Sequence, residues 1–229
     1  MKKIITLSFD DGVTQDRKLI QLLKKYNLKA TFNLNSSLTG VLHELKMSDG
    51  TIVSHNRVDI DEVKTLYEGF EIASHTRTHP MLTQCSPEKI AEEVIGDRLK
   101  LSELTGYPVI GFAYPGRHPN YDRLVVEIMR LYTGVCYCRT IESTNSLAFP
   151  QNYYIWNPSL HILDERVDSL IDCFVREKTD CLLYLWGHSY EFDIKDGWNK
   201  VEKIFSRLSK IKDAESMTNI EVYKFKTKL

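Results

Sequence analysis

Short apolar runs alternate with amphipathic stretches along all 229 residues, and this alternation limits the possible folds more than any other feature. Strand signals fall at 3–9, 30–35, 70–74, 109–114, 133–138, 153–156, 181–186 and 220–225. Helical patterns fall between them at 16–26, 86–105, 122–131, 164–177 and 198–210. The third-strand-to-fourth connection is marked best: Ser86 is an N-cap, Pro87 and Glu88 suit a first turn, and Thr105-Gly106 ends the helix. Strands separated by helices predict a parallel sheet with crossover connections. The length suits one α/β domain over residues 1–229. Two less regular stretches, 36–56 and 142–152, read as loops, and loops this long in an α/β domain are usually functional insertions.

Composition excludes more than it assigns. With 42% hydrophobic and 27% charged residues and a formal net charge of −1, there is no charge excess to attract nucleic acid or an anionic membrane. No apolar run reads as a signal peptide or a membrane span, so a cytoplasmic protein without an obligate protein partner is expected. Cys85, Cys136, Cys138, Cys173 and Cys181 are odd in number and lack CxxC spacing, so buried free thiols are expected.

Chemistry concentrates where predicted strands end. The first strand runs into SFDDG, placing Asp10 and Asp11 where α/β proteins gather their sites. The third ends in SHTRTHP. His75 and His79 would lie about 13 Å apart on an extended strand, but their Cβ atoms come within about 6 Å on a helical turn. Pro80 disfavours α geometry at His79, so a short loop turn is expected. Two imidazoles with a carboxylate from SFDDG make a three-ligand divalent-metal site with an open position, a hydrolytic arrangement. Neighbouring strand residues point to opposite sides, so one Asp can ligate while the other acts as base. LWGHS places His188 beyond another apolar strand, suited to protonating a leaving group. His43 and His55, alone in a polar loop, read as solvent-exposed.

SFDDG, SHTRTHP and LWGHS, in this order, resemble the metal-dependent polysaccharide deacetylases of carbohydrate esterase family 4. The resemblance implies a distorted, TIM-like (β/α) barrel, usually seven-stranded, and hydrolysis of N-acetyl or O-acetyl groups on sugars or oligosaccharides. It implies Asp10 as general base, Asp11, His75 and His79 as ligands of one divalent ion, and His188 as general acid. Zinc is the usual ion, with cobalt, nickel or manganese as substitutes. The family's Phe-Arg-x-Pro-Tyr-Gly motif aligns with Phe112-Ala113-Tyr114-Pro115-Gly116-Arg117, so Ala113 stands where an arginine orients the base. Gly116 can still offer a backbone N–H to an oxyanion. Arg117 and Arg77 are candidates for the missing charge. An Asp-Trp pair that lines the acetyl pocket in relatives has no counterpart.

Tyr114, Pro115, Arg117, Trp156, His161 and Trp186 are candidate substrate contacts, and Tyr153, Tyr190 and Trp198 are further stacking candidates. Glu191 and Asp193 are candidates to orient His188. Two other readings stay open: a carbohydrate-binding protein that has lost catalysis, and an amide or ester hydrolase acting on a non-sugar acyl substrate.

Overall fold

Strand alternation builds the molecule around one curved sheet. In the computed structural model, which describes residues 1–47 and 49–228, β1 (Lys3–Asp10) is buried along its whole length. Ile5, Leu7 and Phe9 join the apolar layer beneath the helices, with Leu19, Leu23 and Val201. Ile4, Thr6, Ser8 and Asp10 therefore face the opposite side, the barrel interior. The path continues through α1 (Asp16–Lys25), β2 (Thr31–Leu34), β3 (Glu44–Lys46), β4 (Ile52–Ser54), α2 (Ile60–Leu66) and β5 (Glu71–Ser74). It then runs through α3 (Pro87–Thr105), β6 (Gly111–Ala113), α4 (Arg123–Tyr132), β7 (Tyr137–Arg139) and β8 (Leu160–His161). Last come α5 (Val167–Arg176), β9 (Cys181–Gly187), α6 (Gly197–Leu208), β10 (Ala214–Ser216) and α7 (Asn219–Thr227).

Seven parallel strands lie in the order β7-β6-β5-β2-β1-β9-β8, and β10 pairs with the first residues of β1. The result is a distorted (β/α) barrel, as the sequence implied. Between the end strands, Trp156 N–H donates to Cys138 O and Thr140 N–H to Trp156 O, both at 3.0 Å. Three residues later Ser159 N–H donates to Tyr184 O at 2.8 Å, so this strip links β7 to β9. Because the sheet is parallel, the C-terminal ends of β1, β5, β6, β7 and β9 share one end of the barrel.

Helix ends follow local chemistry. Ser86 Oγ accepts from Lys89 N–H, and Gly106 closes α3 with φ +81°. Asp122 caps α4 through Val125 N–H at 2.8 Å. The helix α2, not anticipated, starts where Asp59 accepts from Asp61 N–H.

Three expectations are corrected. Residues 220–225 form part of α7 and not a strand, because Thr218 and Glu221 make a reciprocal capping box. Its first N–H groups plug the far end of the barrel: Asn219 N–H reaches Thr31 Oγ1 and Ile220 N–H reaches Glu71 Oε2, each at 2.9 Å. Tyr153–Ile155 is a 3-10 turn begun by Asn152, which accepts from Tyr154 N–H, and only Trp156 bridges to a strand. The stretch 36–56 holds the antiparallel β3–β4 hairpin.

All five cysteines are free, but Cys173 is exposed and Cys85 and Cys136 are half-buried. Among the described residues, no helix is long and apolar enough to cross a membrane.

Candidate active site

Asp10 follows the alternation of β1 into the barrel, whereas Asp11 leaves it with φ +82°. The expected division of two carboxylates onto opposite sides therefore does not occur. The left-handed residue turns Asp11 back, and both acids reach one cleft. Asp10 Oδ1 accepts from Asn33 Nδ2 at 2.8 Å, and Asp11 N–H donates to Asn33 O at 3.0 Å.

His75 and His79 come together, their ring centroids 4.9 Å apart, but on no helical turn. Thr76 (φ +69°) and His79 (φ +60°) are left-handed and fold the loop tightly. Asn35 Nδ2 donates to His75 O at 2.6 Å, and buried Glu93 accepts from Thr78 N–H and Thr78 Oγ1 at 2.9 and 2.8 Å. His75 Nδ1 lies 2.8 Å from Ala113 O. A carbonyl only accepts, so Nδ1 carries the proton and the Nε2 lone pair faces the cleft. Burial pushes His75 down to about 4, keeping that lone pair free at neutral pH.

Asp11 Oδ1 is 3.9 Å from His75 Nε2 and 3.7 Å from His79 Nε2. Among the described residues no donor is angled to hydrogen-bond this buried oxygen, and its one charged neighbour besides the two imidazoles is Arg57 Nη1 at 3.1 Å. A carboxylate oxygen with no hydrogen bond of its own, facing two imidazole nitrogens, fits a divalent cation, and the Asp-His-His donor set suits zinc-type ions.

The other side of Asp11 is held by residues whose role the sequence did not suggest. His55 Nε2 is 3.0 Å from Asp11 Oδ2, and Arg57 donates to Asp11 O. Both are more than nine-tenths buried, so the expectation of a solvent-exposed His55 is overturned. Hairpin pairing explains it: Arg57 N–H donates to Val41 O and His55 N–H to His43 O, extending the β3–β4 ladder over the cleft. Burial disfavours a charged Asp11, but the His55 bond and the Arg57 guanidinium hold it well below the usual carboxylate range. His55→Ala is expected to weaken divalent-ion affinity by about 10–100-fold, as loss of a partner behind a ligand typically does, measured by competition with a chromogenic chelator.

Arg139 supplies the charge missing at Ala113. Fully buried, it donates through Nη2 to both oxygens of Asp10. Ala113 and Arg139 are register partners on β6 and β7, so the guanidinium has moved one strand along at the same level. Two residues earlier on the same pair of strands, Gly111 leaves room for the Tyr137 hydroxyl, since a Cβ there would lie 2.2 Å from Tyr137 Oη. Burial opposes charge on Asp10, but Arg139, His75 and His188 together keep its carboxyl below the ordinary range. Arg77 instead meets Ser37 and Glu92 outside the barrel, and Arg117 is exposed at the cleft rim, so neither fills the gap.

His188 Nε2 stands 3.8 Å from Asp10 Oδ2, and its Nδ1 is 3.4 Å from Glu191 Oε1. Glu191 Oε2 is also 2.9 Å from His161 Nε2. Asp193 binds Gln15 and Trp198, leaving Glu191 as the partner of His188. Buried Asp16 accepts from Ser189 Oγ at 2.6 Å and so anchors the turn after His188.

Tyr114, Gly116, Arg117, Trp186 and Tyr190 line the cleft with these groups. Other candidate contacts do not. Trp156 is packed in the barrel interior against Tyr137, Tyr153 and Tyr184. Pro115 is buried, His161 lies behind His188, and Trp198 packs on Phe192.

Barrel, acid pair and imidazole pair together define a hydrolase-type site at the strand ends. Residues 1–133 match the family model described as polysaccharide deacetylase, and the chain belongs to that family. Over 119 residues it is 33% identical to an uncharacterized 30.6 kDa protein from Geobacillus stearothermophilus, covering 51% of this chain and 38% of that one. Over 121 residues it is 28% identical to a peptidoglycan-N-acetylglucosamine deacetylase from Bacillus cereus, covering 52% and 49%. The matches thus span half or less of those relatives' lengths. A family 4 acetyl xylan esterase from Clostridium thermocellum, solved with a cobalt ion, is similar in fold with a TM-score of 0.57 at 17% identity, covering 98% and 92%.

Proposed function

We propose that the protein is a metal-dependent hydrolase that removes acetyl groups, N-acetyl foremost, from a carbohydrate. The observation that carries this reading is the convergence of Asp11 Oδ1 and two imidazole Nε2 atoms on one point, beside an Asp10 set within 4.0 Å of both His75 and His188. Asp11, His75 and His79 would hold one divalent ion, zinc or a substitute such as cobalt, nickel or manganese. Bound there, the ion supplies Lewis acidity and makes water a nucleophile near neutral pH.

Asp10 takes one proton from the attacking water, whose oxygen bonds to the acyl carbon. Arg139 keeps Asp10 ionised and aimed. The Gly116 N–H donates to the carbonyl oxygen as it gains charge. His188 gives a proton to the amine nitrogen as the carbon–nitrogen bond breaks, leaving acetate and free amine. Arg139 also removes the main motive for reading the chain as an inactive binding protein, because the charge lost at Ala113 is present.

Burial disfavours charge on His188, but Glu191, with Asp11 and Asp10, more than offsets it and pushes the ring up to about 9. A raised value means the protonated acid is present at neutral pH and lost as pH rises through about 9. Glu191→Gln should therefore move the alkaline limb of the kcat/KM profile to lower pH; an unmoved limb would remove Glu191 from this role.

The reading is tested by acyl release across N-acetylated chito-oligosaccharides, O-acetylated xylan and simple non-sugar amides and esters. Turnover of the acetylated sugars supports it. Turnover confined to the non-sugar compounds would overturn it in favour of a different acyl hydrolase.

A further inference from the structure

Resting on the deacylase reading of this cleft, we infer that the substrate carries an apolar aglycone on the leaving-group side, bound by the β3–β4 hairpin. The cleft encloses about 610 Å³, large enough for a sugar ring and a substituent. Extending the ladder places Val41, His43 and Leu45 on the same hairpin face as Val53, His55 and Arg57. His55 and Arg57 are engaged with Asp11, whereas Val41, His43 and Leu45 line the cleft together with Leu38 and Ile141. Val41 is 43% exposed, an aliphatic side chain left open at the site.

The side of the cleft follows from Tyr190. Its ring is 5.1 Å from that of His188 and 4.8 Å from that of His55, so it bridges the proton donor and the hairpin. A group departing with the proton from His188 leaves along Tyr190 toward Val41 and Leu45. That wall offers the aliphatic side chains of Leu38, Val41 and Leu45, with His43 as the polar group between the last two.

The aromatic rings deeper in the cleft are already engaged and give a sugar chain little to stack on. Tyr114 is fully buried and stacked on Tyr121, with its hydroxyl donating to Tyr154 O. Trp186 is 8% exposed, with the Arg139 guanidinium 4.7 Å over its ring and His161 edge-on to it. A short acetamido sugar with an alkyl aglycone matches this lining better than a long polar glycan.

The test compares octyl and methyl glycosides of N-acetylglucosamine. Zinc-loaded Asp10→Asn protein, which leaves the ligand intact, gives Kd by calorimetry, and the wild-type protein gives kcat/KM. Tighter binding of the octyl glycoside by about tenfold or more, with Val41→Asp added to Asp10→Asn bringing the two Kd values together, supports the inference. Kd values within twofold, or a preference that survives Val41→Asp, overturn it. The octyl preference without turnover of either glycoside would leave the inference standing and count against the deacetylase reading.

Discussion

Asp10→Asn is expected to lower turnover by about 10²–10⁴-fold or more while leaving one divalent ion bound per chain. The carboxamide fills the same volume and can still accept through Oδ1, but it cannot take a proton from water. The ion is retained because its ligands are other residues, with Asp11 Oδ1 facing His75 and His79. Turnover and metal content must be read on the same sample, since the change also weakens the buried pair with Arg139. A variant with full metal content and near wild-type turnover would remove Asp10 from the role of base. A variant that loses its metal would instead put Asp10 among the ligands.

The second large effect is at Arg139. Arg139→Leu leaves Asp10 buried, 2% exposed, without its guanidinium, and breaking a buried pair by removing one partner typically costs about 3–5 kcal/mol. Chemical denaturation near neutral pH should show that loss. The Asp10 carboxyl is lowered in the folded protein, so the stability this pair contributes is present above the ordinary carboxylate pKa and lost as pH falls through the lower folded value. The stability gap between wild type and variant should therefore close in acid. The acid limb of the activity profile should move to higher pH in the variant, because Asp10 then holds its proton more tightly. Ala113 faces Arg139 across the strand pair, so Ala113→Arg in an Arg139→Ala background should recover part of both losses. No change in stability or in the acid limb would contradict the account of Arg139.

Local sequence carried the motifs but not their supports. SFDDG, SHTRTHP and LWGHS are contiguous, so each marks the end of its own strand, and the parallel sheet brings them together. Arg139 comes from 129 residues beyond Asp10, and the strand pattern at 133–138 ends one residue short of it. The signal was present in alternation: Tyr137 and Arg139 share a face, and a missing charge at Ala113 called for a neighbour on an adjacent strand. His55 and Arg57 were hidden because a polar loop gave no sign of a hairpin whose pairing turns both toward Asp11. Trp156 looked like a cleft aromatic because a ring near a site can serve packing or binding equally well, and only the interior cluster around Tyr137 and Tyr184 decides between them. At α7 the capping signature Thr218-Asn219-Ile220-Glu221 outweighs the apolar alternation after it.

Hydrolysis at an Asp11-His75-His79 metal centre is tested by acetate release from acetylated sugars, using protein stripped of metal and then reloaded. Chelation should abolish release, and zinc or cobalt should restore it in proportion to binding of one ion per chain. Release that persists in metal-free protein, or that returns equally in a His75→Ala/His79→Ala double variant, would contradict the claim.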